Sequence, residues 1–228
     1  MSLFAIGDTH LSFGCDKPMD VFRGWENYVE RLREHWCTSV APGDTVVIVG
    51  DISWGMSLEE AKPDFAFLHG LPGEKIILRG NHDYWFETRT KTERFFAENG
   101  FDSLKLLFNN AFPYEEYSLC GTRGWINEQG ENVEKKVLNR EAGRLRLSLE
   151  EGGRLGNTPI VFLHYPPVYY IYECREILDV LLEYGVKQCY YGHIHGNGHS
   201  YAIDGVYRGI DFHLVSGDYI DFRPVRIL

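Results

Sequence analysis

The tetrapeptide Gly80-Asn81-His82-Asp83 sets an amide oxygen, an imidazole and a carboxylate side by side. It follows the apolar run 75–79 and opens on a glycine, the pattern of a buried strand emptying into a tight turn. The pattern recurs. Runs 3–6, 45–49, 159–163 and 188–191 lead into Gly7-Asp8-Thr9-His10, Gly50-Asp51, His164 and Gly192-His193-Ile194-His195. In open α/β sheets, ligands sit outside the carboxyl ends of strands, where such turns emerge. A lone Asp or Asn after a strand is an ordinary turn former, and a lone His is more often a satisfied core or surface group. Five strand ends that all finish in Asp, Asn or His point instead to a common site.

The candidate metal ligands are Asp8, His10, Asp51, Asn81, His164, His193 and His195. Asp8 and His10 stand two apart, as do His193 and His195, so an extended backbone would aim each pair to one side. Imidazole mixed with carboxylate suits Mn, Fe, Zn or Ni rather than Ca. With no thiolate in the set, a structural zinc site is not expected. Seven ligands exceed what one transition ion uses. They suit two ions about 3.5–4 Å apart that share a bridging carboxylate. Such a pair can hold a hydroxide, polarise a phosphoryl oxygen and offset charge on a departing oxygen, which are the needs of in-line attack at phosphorus. His35, His69, His199 and His213 lack this placement and read as satisfied groups; His199 lies nearest a motif.

These turns need strands to hold them. Strand-like runs alternate with helical patterns, which argues for α/β. A strand-rich stretch over 201–228, read as antiparallel, makes the sheet system mixed. Helices are expected over 25–37, from the capping box Ser57-Leu58-Glu59-Glu60, over 86–99 up to Gly100, over 131–150 up to Gly152-Gly153, and from Ile177 to Gly185. Pro63 should begin or kink the second of these. Runs 104–108 and 117–120 read as strands of a second sheet. Trp54, Arg123 and Tyr165 lie in loops that could line a pocket, although Arg123 reads better as a structural or surface group than as a phosphate clamp. No linker, repeat or low-complexity segment divides residues 1–228, so one domain is expected.

Composition narrows the function. A hydrophobic fraction of 44% in 228 residues is enough for a sizeable core. The formal net charge of -10 shows no basic excess, so a general nucleic-acid binder is disfavoured. A bound metal pair would add local positive charge, so a nucleic-acid substrate stays possible. The expected partner is a small-molecule phosphoester. Five cysteines without a Cys-x-x-Cys read as reduced thiols. The N-terminus lacks a basic, apolar leader, and no apolar run approaches the roughly 20 residues that span a bilayer. A soluble cytoplasmic protein with no membrane partner is therefore expected; the sequence leaves its oligomeric state open.

The five blocks, in this order and spread over most of the chain, resemble the motif series of the calcineurin-like metallophosphoesterase superfamily. The segments Gly50–Trp54 and Arg79–Trp85 also resemble a group of bacterial predicted phosphohydrolases. The resemblance implies a four-layer α/β/β/α sandwich of two mixed sheets, with two divalent or transition metal ions (Mn, Fe, Zn or a mixed pair) on the loops at one end. It implies that Asp8, His10, Asp51 and His195 hold one ion, that Asp51, Asn81, His164 and His193 hold the other, and that Asp51 bridges. It further implies hydrolysis of a phosphate mono- or diester by a metal-bridging hydroxide, with His82 as general acid oriented by Asp83. A nuclease of the same superfamily and a scaffold without turnover are the alternatives. All seven ligands and His82 are present, which disfavours the scaffold.

Overall fold

In the computed structural model, which describes residues 1–126 and 135–228, two mixed sheets pack face to face between layers of helices. With strands numbered in chain order, the first sheet runs β13 (Val225–Arg226), β1 (Leu3–Ile6), β2 (Thr45–Ile48), β3 (Glu74–Ile77), β4 (Leu104–Leu106). It is parallel except at β13. The second runs β11 (Gly205–Tyr207), β12 (Ile210–Leu214), β10 (Gln188–Tyr191), β7 (Thr158–Leu163), β6 (Tyr117–Thr122), β5 (Ala111–Tyr114). Its four central strands are parallel and its two edges antiparallel.

Both faces of each sheet are covered, so the strands read as continuous apolar runs rather than alternating ones. The period-2 alternation is still there, dividing the residues between two cores. Leu3, Ala5, Val47 and Ile76 meet Leu119, Ile160, Phe162 and Tyr190 between the sheets. Phe4, Ile6, Val46 and Ile48 face outward onto α1 (Tyr28–Ser39), α2 (Leu58–Gly70) and α3 (Arg89–Glu98), through Leu32, Trp36, Phe65 and Phe96. Val161, Leu163, Cys189 and Tyr191 face α4 (Lys135–Arg154) and α5 (Arg175–Glu183), through Leu145, Leu149, Ile177 and Leu181. Among the described residues no helix is long and apolar enough to cross a membrane.

Several local expectations are corrected. Residues 104–106 join the first sheet, not the second: α3 is a crossover that returns β4 parallel to β3. The strand Ala111–Tyr114 is masked in the sequence by Pro113, which an edge strand tolerates. The helix expected from Trp25 begins at Tyr28, and that from Phe86 begins at Arg89, where the Thr88 hydroxyl accepts from Lys91 N. The second helix starts at Leu58 and runs past Pro63. Its capping box is half reciprocal: Ser57 Oγ accepts from Glu60 N, whereas Glu60 Oε2 accepts from Met56 N at 2.8 Å. The helix α4 continues through both glycines to Arg154, since helical glycine weakens a helix without ending it; its expected first residues, 131–134, lie outside the described residues. At the chain's end, 196–201 is a 3-10 turn, and β12 lies parallel to β10 because the β11–β12 hairpin has already reversed the chain.

Candidate metal centre

The carboxyl ends of β1, β2 and β3 in one sheet meet those of β7 and β10 in the other. Asp8 N donates to Gly50 O and His10 N to Asp51 O, both at 2.9 Å, while Gly192 N donates to His164 O at 3.1 Å. The motif glycines permit this approach. A Cβ on Gly80 would sit 2.1 Å from Asp51 Oδ1, and one on Gly192 would sit 2.4 Å from Asp8 Oδ2. The turns are not extended, contrary to the geometry that the two-residue spacing of Asp8 with His10 and of His193 with His195 suggests. Asp8, His10, Asp51 and His193 take left-handed backbone angles, with φ of 55°, 42°, 50° and 73°. Left-handed residues other than glycine are costly, and such strain gathers at functional sites.

Two groups result. Ligand atoms of Asp8, His10 and His195 lie within 4.8 Å of one another, as do those of Asp51, His164 and His193. Asp51 joins them: its Oδ2 lies 3.6 Å from His10 Nε2 and 3.5 Å from His164 Nε2. Its other oxygen accepts from His82 N at 2.7 Å. Asn81 Oδ1 stands 2.6 Å from His164 Nε2, and His164 Nδ1 donates to Val49 O at 3.0 Å, which leaves a lone pair on Nε2. Asp8 accepts from His193 N and lies 3.4 Å from His195 Nε2. All seven expected ligands are therefore brought to one place.

The donor set fits bound cations. Asp51 Oδ2 is buried and has no hydrogen-bond partner among the described residues. Burying a polar atom unpaired is costly, and a cation removes the cost. Burial pushes His10 down to about 3, His193 down to about 4 and His164 well below the usual imidazole range, so these rings offer lone pairs at neutral pH. Burial and then the charges of Asp83 and Asp8 push Asp51 well above the carboxylate range. Burial would raise Asp8 too, but His195, with His164 and His10 behind it, holds the carboxyl low. Burial opposes charge on His195, yet Asp8 and Asp218 raise it to about 10. Without a metal, charge at the site is thus held by a His195–Asp8 pair.

His82 is half-buried, its pKa lowered by burial, and its ring lies 4.5 Å from that of Trp54. Asp83 does not orient it. The Asp83 carboxylate accepts from Ile52 N, Ser53 N, Trp85 Nε1 and Gly80 N, and the His82 ring is not among its partners. Asp83 is fully buried and instead ties the Asp51 turn to the Gly80 turn. Of the loop residues, Arg123 lies 3.9 Å from Glu141 and over the Trp125 ring, and Tyr165 packs on His193 with ring centroids 4.2 Å apart.

Sequence reasoning missed Asp218. Its Oδ1 accepts from His195 Nδ1 at 2.8 Å, and its Oδ2 accepts from Gly196 N and lies 3.3 Å from His199 Nε2. The signal was available: Gly217-Asp218 follows β12 just as Gly50-Asp51 follows β2. His199 accordingly reaches the site's edge. Asp64 was also missed. It accepts from Ser53 Oγ and Phe13 N, joining α2 to the loops that carry Asp51 and His10.

Solved structures share this architecture. A phosphopantetheinyl hydrolase from Mycobacterium tuberculosis is 14% identical, with a TM-score of 0.56, over 100% of this chain and 95% of that one. A protein of unknown function from Aquifex aeolicus is also 14% identical, with a TM-score of 0.51, over 99% and 95%. A protein from Thermus thermophilus gives 14% and 0.53 over 85% and 81%. At such identity the likeness concerns the fold alone. No curated protein matches the sequence. The family model described as calcineurin-like phosphoesterase matches residues 1–197, which takes in all seven expected ligands, and on that match the chain belongs to the calcineurin-like phosphoesterase family.

Proposed function

We propose that the chain is a binuclear metal-dependent phosphoesterase that hydrolyses a small-molecule phosphate mono- or diester. Asp8, His10, Asp51 and His195 would hold one ion, and Asp51, Asn81, His164 and His193 the other. The observation that carries this reading is Asp51 Oδ2, a buried carboxylate oxygen without a donor among the described residues, set between His10 and His164 at 3.6 and 3.5 Å. Mn, Fe and Zn match these ligands. When bound, such a pair lowers the pKa of water and offsets charge on the phosphoryl oxygen.

The chain's own residues supply the rest. Trp54 stacks on His10, with centroids 4.8 Å apart, and fixes that ring from the open side. His82, at the cleft wall, is the general acid. Burial keeps it neutral in the free protein, and the charge of an arriving phosphate raises its pKa, so that it binds a proton and passes it to the leaving oxygen. The five cysteines are free thiols, which supports a cytoplasmic setting.

The test combines metal binding with turnover. Metal-stripped protein is titrated calorimetrically with Mn, then assayed on bis(p-nitrophenyl) phosphate and p-nitrophenyl phosphate. The parent should bind two ions and cleave at least one ester. Asp51→Asn should lose the second ion, whereas His82→Ala should keep both and lose turnover by roughly 10²–10⁴-fold. A parent that binds two ions and cleaves neither ester overturns the reading.

A further inference from the structure

Two clefts open on the metal centre, and among the described residues His195 alone lines both. One, of about 580 Å³, adds His10 and His82 and is walled by Met19, Phe22, Trp25 and Trp54, with Arg23 at its rim. The other, of about 400 Å³, adds His193 and is walled by Tyr169, Tyr170 and Tyr172. Both volumes are in the range of pockets that enclose small organic groups. A monoester has one organic arm and can fill one cleft; a diester has two.

The fold anchors one side of the tyrosine wall: Tyr169 packs on the core beneath α4 and α5, and Tyr170 N donates to Tyr201 O at 3.1 Å. The wall belongs to the hairpin β8 (Val168–Tyr169) and β9 (Tyr172–Glu173), joined through Tyr170 and Ile171. Tyr170 takes φ 54°, the left-handed region that Asn or Gly would fill cheaply in so short a loop. Its ring meets Tyr201 edge to face, with centroids 5.0 Å apart, yet the side chain is still 58% exposed, and Ile171 beside it is 72% exposed. The Tyr201 contact leaves more than half of Tyr170 open beside the metal centre, a surface on which a planar ligand can stack.

We infer that the substrate is a phosphodiester whose two arms divide between these clefts. Its retained arm is a nucleoside stacked on the Tyr169–Tyr172 hairpin, and its leaving arm is an apolar or aromatic alcohol in the Trp54 cleft. The assignment of arms follows from His82, which lines only the Trp54 cleft and so stands beside the leaving oxygen. Hydrolysis adds water across the bond from phosphorus to the leaving oxygen. The hydroxyl joins phosphorus, the proton on His82 goes to the leaving alcohol, and a nucleoside monophosphate stays on the tyrosines. Aromatic faces with hydroxyl edges suit a base, which needs stacking and in-plane polar contacts.

This inference rests on the phosphoesterase reading, so its test keeps the two apart. The Mn-loaded parent, Tyr170→Asn and Trp54→Ala are assayed on thymidine 5′-(p-nitrophenyl phosphate) and on p-nitrophenyl phosphate, which share a leaving group. Tyr170→Asn should lower kcat/KM about tenfold on the nucleotide ester, as loss of one stacking face does, and leave the monoester unchanged. Its Tm should stay near the parent's, because the ease of Asn at the left-handed angle offsets the lost contact with Tyr201. Thymidine 5′-monophosphate should bind this variant about tenfold more weakly in a tryptophan-fluorescence titration. Trp54→Ala should slow both esters. If Tyr170→Asn changes neither ester, or both equally, the two-cleft assignment falls while the phosphoesterase reading stands. If the parent cleaves neither ester, that reading fails and takes this one with it.

Discussion

Asp218 Oδ1 accepts the Nδ1 hydrogen of His195 at 2.8 Å, and the opposite nitrogen of the ring is thereby aimed at Asp8, 3.4 Å away. Histidines at metal sites are commonly fixed in this way, by a carboxylate on the far nitrogen. Asp218→Ala should therefore weaken Mn binding about 10–100-fold without unfolding the protein. Calorimetric titration of the metal-stripped variant, with circular dichroism as the fold control, reads both. Unchanged affinity would mean that His195 needs no such support.

Asp83 separates a family-based role from the one its contacts give it. If it oriented His82, Asp83→Asn would cut turnover and leave stability alone. Its carboxylate instead accepts from Gly80 N at 2.7 Å and Ile52 N at 2.8 Å. An amide there presents a donor to at least one N–H and leaves it buried and unpaired, at about 1–3 kcal/mol. Asp83→Asn should thus lower the urea midpoint, with activity falling only as the two turns separate.

The sequence carried the site further than it carried the fold's edges. The ligands were legible because each sits where a buried apolar run ends, and such runs stand out when both faces of a sheet are covered. Asp218 escaped for the opposite reason. The strand before it alternates, with Asp211 and His213 between Ile210, Phe212 and Leu214, so it reads as a peripheral hairpin rather than as a central parallel strand. The sheet membership of 104–106 was not legible either, since strand pairing is set by the α3 crossover and not by local pattern. The left-handed angles at Asp8, His10 and Asp51 had no local signal, because contacts between distant strand ends impose them.

Glycine-to-alanine changes should have opposite signs in two places. At Gly80 the added Cβ would lie 2.1 Å from Asp51 Oδ1 and 2.3 Å from Asp51 N, so the Asp51 turn must move. Gly80→Ala should cost about 1–3 kcal/mol and abolish binding of two ions. In α4 a Cβ on Gly143 meets nothing within 4 Å. Gly143→Ala should stabilise by about 0.5–1 kcal/mol through helix propensity alone, leaving metal stoichiometry intact. Thermal melts and metal analysis of the two variants, side by side, check both signs.

Asp64 should set part of the acid side of the stability profile. Burial raises its pKa to about 6 from the ordinary 3.8, against the lowering effect of the Ser53 and Phe13 hydrogen bonds. The folded protein therefore holds this proton more tightly than the unfolded chain does. The stabilisation that follows is complete below the unfolded pKa, near 3.8, and is lost as pH rises through about 6. The loss is on the order of 3 kcal/mol. An Asn in this place keeps an acceptor for Phe13 N and offers a donor toward Ser53 Oγ, but carries no charge at any pH. Asp64→Asn should consequently gain on the parent as pH rises from about 4 to about 7, because the unfolded parent ionises first and the folded parent keeps its proton until about pH 6. Urea denaturation of the metal-stripped proteins across that range isolates the effect, because the other titrating groups are common to both. A parent-minus-variant difference that stays flat with pH would show that Asp64 is ionised in the fold throughout, held by Ser53 and Phe13.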